Sequence, residues 1–184
     1  MNLPNCLTLT RIAMVPFFVV FFYISFFRTP EGSILLAVLF LVASLTDLLD
    51  GYLARRRSQV TPFGKFLDPI ADKILILSVL ILLVSEGRVP AWIAVIIISR
   101  EFIVTGLRMV ASLEGIVISA ESLGKYKVFF QSAAIVFLLL VIEPALYFYE
   151  IGFFLLILSM IFSLLSACQY FLKFGQKFDL LKAK

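Results

Sequence analysis

Four aspartates, Asp47, Asp50, Asp68 and Asp72, interrupt two long apolar runs of a 184-residue chain. They are written D-L-L-D-G-Y-L-A-R, then eight residues, then G-K-F-L-D-P-I-A-D. An ionised carboxylate inside a membrane segment costs at least about 2.5 kcal/mol. Two of them about 4 Å apart repel by about 4 kcal/mol at an intermediate dielectric. A cluster this dense is stabilised by binding cations, and hard carboxylate oxygens select Mg²⁺, Mn²⁺ or Ca²⁺. Spacings of three and four put each pair on one face of a helix. The first pair is expected near the C-terminal end of its helix, where the macrodipole disfavours negative charge, and the second near the N-terminal end of the next, where it is favoured. A short polar turn between them lets the pairs face each other across an antiparallel hairpin. Such a pocket suits two divalent ions about 3.5–4 Å apart.

The residues between the aspartates are equally pointed. Gly51 and Ala54 lie on the aspartate side and leave room for a bulky ligand, and Arg55 offers a two-pronged fork for phosphate. Gly64 lets backbone approach the same ligand. Metals, small residues and an arginine around one pocket describe a site for a pyrophosphate-bridged substrate. Two other readings compete. Interhelical ion pairs with Arg55, Arg56, Lys65 and Lys73 would also hold the aspartates, but ion pairing needs no glycines at fixed offsets. A divalent-cation transporter would carry intramembrane acids too, yet it gives no reason for the Gly51, Ala54, Arg55 and Gly64 set, and no inverted repeat is visible.

The elements that must position these residues are apolar helices. The chain is 62% hydrophobic and only 15% charged, with a mean hydropathy of +1.08. The class is therefore an all-α integral membrane protein, because the apolar runs are unbroken rather than short and alternating. Six transmembrane helices are expected: roughly 7–27, 33–53, 66–85, 91–113, 125–142 and 147–172, each long enough for a bilayer core of about 30 Å. Breakers fall between them at Pro30-Glu31-Gly32, Thr61-Pro62 with Gly64, Glu86-Gly87-Arg88 with Pro90, and Glu143-Pro144. The first run lacks a small-residue cleavage site and reads as a span rather than a signal peptide. Residues 1–184 read as a single domain.

Basic residues orient the bundle. Arg55, Arg56, Arg57 and Lys65 crowd the second-to-third connection, Lys125 and Lys127 the fourth-to-fifth, and Lys173, Lys177, Lys182 and Lys184 the tail. The opposite connections hold only Arg28 and Arg88 beside Glu31, Glu86, Glu143 and Glu150. The positive-inside bias places both termini in the cytoplasm, with the polar metal and substrate cavity open to that side. This bias also accounts for the net charge of +4, so no nucleic-acid partner is expected. Cys6 and Cys168 stand in no metal or redox spacing. The chain has no histidine, which excludes histidine triads and histidine metal ligands, so general-base chemistry falls to a carboxylate, Lys or Tyr.

The second half adds cations at membrane depth. Arg100, Glu101 and Arg108 sit inside the fourth span in S-R-E-F-I-V-T-G-L-R, with Glu101 and Arg108 seven apart on one face. Lys125 and Lys127 follow in L-G-K-Y-K, and Gln131 lies one turn on. This is more positive charge than one glutamate needs. An acceptor molecule carrying its own phosphate, held by Arg100, Arg108, Lys125 and Lys127, explains the excess. Lys125 and Lys127 snorkelling to lipid headgroups is the alternative.

The motif Asp47-x-x-Asp50-Gly51-x-x-Ala54-Arg55, eight residues, Gly64-x-x-x-Asp68-x-x-x-Asp72 resembles the full signature of the CDP-alcohol phosphotransferases, without departure. The stretch S-R-E-F-I-V-T-G-L-R to G-K-Y-K, with N-L-P-N-x-L-T-x-x-R at the start, is similar to the branch of that family that makes phosphatidylglycerophosphate. The resemblance covers residues 2 to about 131. Val128 departs from it, standing where that branch often has Thr. The resemblance implies transfer of a phosphatidyl group from CDP-diacylglycerol to sn-glycerol 3-phosphate with release of CMP. It implies Mg²⁺ or Mn²⁺, two ions, on the four aspartates, with Asp72 as base. It also brings Asn5, Thr8 and Arg11 to the nucleotide or lipid phosphate. Within the family, inositol phosphate, serine or phosphatidylglycerol are the alternative acceptors. The implied setting is a multi-pass protein of a bacterial-type inner membrane, its active site facing the cytoplasm, with membrane lipid as partner and a homodimer compatible with it.

Overall fold

The computed structural model describes residues 3–57, 62–113, 122–140 and 146–182, with side chains described for 12–45, 73–112, 124, 126–140 and 147–175. Six α-helices follow one another: α1 (Leu3–Tyr23), α2 (Pro30–Arg57), α3 (Pro62–Ser85), α4 (Ala91–Leu113), α5 (Ser122–Leu139) and α6 (Leu146–Lys182). A 3₁₀ turn, Ser25–Arg28, joins the first two. Among the described residues there is no strand.

The helix ends differ from expectation in an instructive way. Pro30 and Pro62, read as breakers, are the first residues of α2 and α3. A proline is tolerated there because the first-turn N–H groups have no intrahelical partner to lose. Thr29 caps α2: its hydroxyl accepts from the Gly32 N–H at 3.2 Å and donates to the Phe26 carbonyl at 2.7 Å. Helix α2 then runs on through Arg55, Arg56 and Arg57, which were expected in the connection. Asp50 consequently stands about two turns before the end of its helix, and Asp68 more than a turn inside α3. The macrodipole acts mainly on the terminal turn, so it bears less on these carboxylates than their expected terminal positions implied. Helix α6 likewise continues to Lys182 and carries Lys173 and Lys177 with it.

Helix α3 ends where a glycine permits. Gly87 has φ +72°. Its N–H bonds the Val84 carbonyl at 3.0 Å while the Arg88 N–H bonds the Leu83 carbonyl at 3.0 Å, the paired closure of a left-handed helix cap. Arg88 then donates to the Leu138 carbonyl at 3.0 Å, where α5 ends. Arg28 reaches Glu86 at 3.1 Å and ties the α1–α2 connection to the same end of the bundle.

The core fills with Phe40, Val79, Leu80, Leu83, Ile93, Ile135, Leu138 and Leu156, none exposing any surface. Phe18 meets Phe40 edge to face, with ring centroids 6.2 Å apart. Among the described residues, helices α5 and α6 share the most extensive interface, and Gly152 shows why. A Cβ added there would stand 2.9 Å from Leu138 Cγ and 3.1 Å from the Leu138 backbone nitrogen. Gly152→Leu is expected to destabilise the protein by about 1–3 kcal/mol through overpacking. Thermal unfolding in detergent measures this, and an unchanged midpoint would mean that α5 and α6 are not so close.

Large apolar side chains also cover the outside, among them Phe17, Tyr23, Trp92, Phe102, Phe129, Tyr147 and Phe154, each at least half exposed. Among the described residues one helix stretch, Tyr147–Gly175, is long and apolar enough to cross a membrane. Shorter apolar stretches lie at Ile12–Tyr23, Pro30–Leu45, Lys73–Ser85 and Tyr126–Leu139.

Candidate active site

The aspartates fall on two successive helices, Asp47 and Asp50 on α2 and Asp68 and Asp72 on α3. Both helices are continuous through them, so the spacings of three and four keep each pair on one face. Gly51, Ala54 and Arg55 follow on α2. Gly64 belongs to the first turn of α3 rather than to an open loop. The side chains of these residues lie outside those described, as do those of Asn5, Thr8 and Arg11 on α1 and Lys125 on α5.

Beginning with Lys73, one residue after Asp72, charged side chains converge on Glu101. Lys73 on α3 stands 3.5 Å from Glu101 Oε2 and donates to the Thr105 hydroxyl. Arg100 donates from Nη1 to Glu101 Oε1 at 3.0 Å and from Nε to the Ser163 carbonyl on α6 at 2.7 Å. Lys127 on α5 forms an ion pair with the same Oε1. Thr105 in turn donates to the Glu101 carbonyl at 2.6 Å. Arg100, Glu101 and Lys127 are all buried. An unpaired charge at such depth is very unfavourable, and ion pairs with further hydrogen bonds relieve that penalty. A single carboxylate thereby joins α3, α4 and α5, and α6 through Arg100.

Two of the four cations expected at an acceptor's phosphate, Arg100 and Lys127, therefore meet at Glu101. Arg108, expected on Glu101's face, is exposed and stands over the Tyr170 ring, 5.5 Å from its centroid. Gln131, one turn beyond Lys127, is 4% exposed, and its amide nitrogen has no hydrogen-bond partner among the described residues. Sequence reasoning assigned no part here to Thr105 or Ser163, and it placed Lys73 beside the aspartates. The one signal for Lys73 was its position on the aspartate helix, directly after Asp72.

Four acids on two successive helices, followed directly by a buried cation cluster that begins at Lys73, make up the candidate site. The chain belongs to the CDP-alcohol phosphatidyltransferase family, whose model matches residues 1–165. It is 42% identical over 182 residues to the CDP-diacylglycerol–glycerol-3-phosphate 3-phosphatidyltransferase of Bacillus subtilis, with 94% of each chain covered. The enzyme of the same name from Rickettsia bellii is 44% identical over 139 residues, covering 76% of this chain and 75% of its own. That of Salmonella paratyphi A is 37% identical over 174 residues, covering 92% of each.

Proposed function

We propose that the chain is a membrane enzyme that transfers the phosphatidyl group of CDP-diacylglycerol to sn-glycerol 3-phosphate, releasing CMP. The observation that carries this is the eight-residue aspartate, glycine, alanine and arginine pattern on α2 and α3, in a chain similar over most of its length to enzymes of that name. A bilayer as solvent is supported by the large apolar side chains on the outer surface, which water would penalise. The basic residues of the connections and tail favour an active site on the cytoplasmic side.

The donor set fits a divalent cation: Asp47, Asp50, Asp68 and Asp72 offer only hard carboxylate oxygens, the ligands of Mg²⁺ and Mn²⁺. Two such ions on these residues would neutralise charge on the diphosphate and on departing CMP. The chain's own residues do the rest. Arg55 grips the diphosphate with its planar fork, while Gly51, Ala54 and Gly64 leave space beside it. Asn5, Thr8 and Arg11 approach the same headgroup from α1. Asp72 takes the proton from a glycerol hydroxyl. That oxygen forms its bond to the lipid-side phosphorus as the bridging P–O bond breaks, and the electron pair leaves with CMP. Arg100, Arg108, Lys125 and Lys127 hold the acceptor's own phosphate. No covalent enzyme intermediate is needed, because such transfers rest on positioning and charge neutralisation.

Purified protein supplied with CDP-diacylglycerol and a panel of alcohols tests the reading. CMP release should be fastest with glycerol 3-phosphate. Faster release with inositol phosphate, serine or phosphatidylglycerol would keep the family and overturn the acceptor.

Arg55→Lys separates the two substrates. A point charge replaces a two-pronged contact, so the KM for the CDP-lipid should rise roughly tenfold or more with little change for the acceptor. Kinetics with each substrate varied in turn decide, and an effect confined to the acceptor's KM would remove Arg55 from the diphosphate site.

A further inference from the structure

We infer that Glu101 is a positioning residue that builds an anion subsite, holding Lys73, Arg100 and Lys127 in the arrangement that receives the acceptor's phosphate. The inference rests on the proposed acceptor and goes further, because Glu101 carries the wrong charge to touch that phosphate and acts only through its neighbours.

Both carboxylate oxygens are engaged. Oε1 takes Arg100 and Lys127, and Oε2 faces Lys73. These cations come from three different helices, and the flexible stem of a lysine does not hold its ammonium at a fixed point unaided. Arg100 is fixed a second time by the Ser163 carbonyl, and Lys73 by the Thr105 hydroxyl. Among the described residues of the cluster, three positive charges meet one negative, which leaves a surplus of two. A phosphate monoester carries about that charge with opposite sign at neutral pH.

A purely structural ion pair would need one cation rather than three. Among the described residues, two further buried polar groups lack partners: the Gln131 amide nitrogen, one turn beyond Lys127, and the hydroxyl of Ser163, whose carbonyl takes Arg100. Buried donors normally have acceptors, and a phosphate oxygen supplies them. Lys73 adds a link of its own. It follows Asp72 directly, so its pairing with Glu101 ties the register of the aspartate helix to the acceptor side.

The test is CMP release by full-length protein with each substrate varied separately. Glu101→Gln replaces one acceptor oxygen with a donor NH₂, which would repel whichever cation it faces. The KM for glycerol 3-phosphate is expected to rise at least about tenfold, with the KM for CDP-diacylglycerol within about twofold. Glu101→Asp keeps the charge and should recover part of the loss. Because Glu101 acts through Lys127, the double variant with Lys127→Met should fall short of the product of the two single effects. Equal effects on both substrates, an unchanged acceptor KM or fully multiplicative effects would overturn the inference.

Should Glu101→Gln fail to fold, Lys73→Met carries the test. Its side chain is 32% exposed, and its loss leaves Arg100 and Lys127 on Glu101. It should raise the acceptor KM several-fold at a near wild-type melting temperature, and an unchanged KM would again overturn the inference. Wild-type protein that releases no CMP with glycerol 3-phosphate would instead refute the acceptor itself, before any variant is made.

Discussion

Asp68→Asn is expected to abolish CMP release, lowering turnover by at least about a thousandfold, or ~4 kcal/mol in barrier. Asparagine keeps the size and one oxygen but loses the charge, and a hard divalent cation binds a neutral amide far more weakly than a carboxylate. Asp47→Asn and Asp50→Asn should do the same if, as proposed, the four carboxylates together hold the cations. Asp72→Asn would remove a ligand and the base together. Excess chelator should silence the wild-type enzyme, and added Mg²⁺ or Mn²⁺ should restore it. Full turnover in chelator, or an active Asp68→Asn variant, would sink the metal-site reading.

Plain glycerol is expected to fail where glycerol 3-phosphate succeeds. Among the described residues, the cluster around Glu101 holds three cations against one carboxylate, and Arg108 lies on the same helix as Glu101. A neutral alcohol leaves that surplus uncompensated and forfeits charge-assisted hydrogen bonds of roughly 1.5–3 kcal/mol each. Losing two of them separates the acceptors by at least about a hundredfold in kcat/KM. Arg108→Ala and Lys125→Ala should each raise the KM for glycerol 3-phosphate. Unchanged values would give these two residues a structural or lipid-facing role. Comparable rates with glycerol would refute an acceptor recognised by its phosphate.

The aspartate motif was legible because it is local. Its eight residues lie within 26 positions of chain, from Asp47 to Asp72, and helical spacing alone decides which of them share a face. The six helices were legible for a similar reason, since long apolar runs between polar breakers form helices wherever backbone groups must be satisfied within their own segment. Their ends were less so. Hydropathy finds where a helix is apolar, not where it stops, so the polar last turns of α2 and α6 went unread. Pro30 and Pro62 read as interruptions although they open helices.

The Glu101 cluster shows what lay beyond the sequence. The positions of the cations in the second half led to the expectation of an anionic partner. They did not reveal that Lys73, Arg100 and Lys127 meet at one carboxylate, or that Arg100 is anchored on a carbonyl of α6 while Arg108 turns to Tyr170. Those partners lie up to 63 residues apart in the chain. No local periodicity relates them, because their meeting depends on the rotation and depth of each helix against its neighbours, which are set by packing. From the sequence alone came the proposed chemistry: carboxylates suited to a metal, an arginine suited to a diphosphate and cations suited to a phosphate. Which charges pair with Glu101 was settled by helix packing, which brings residues from three helices within a few ångströms of one carboxylate.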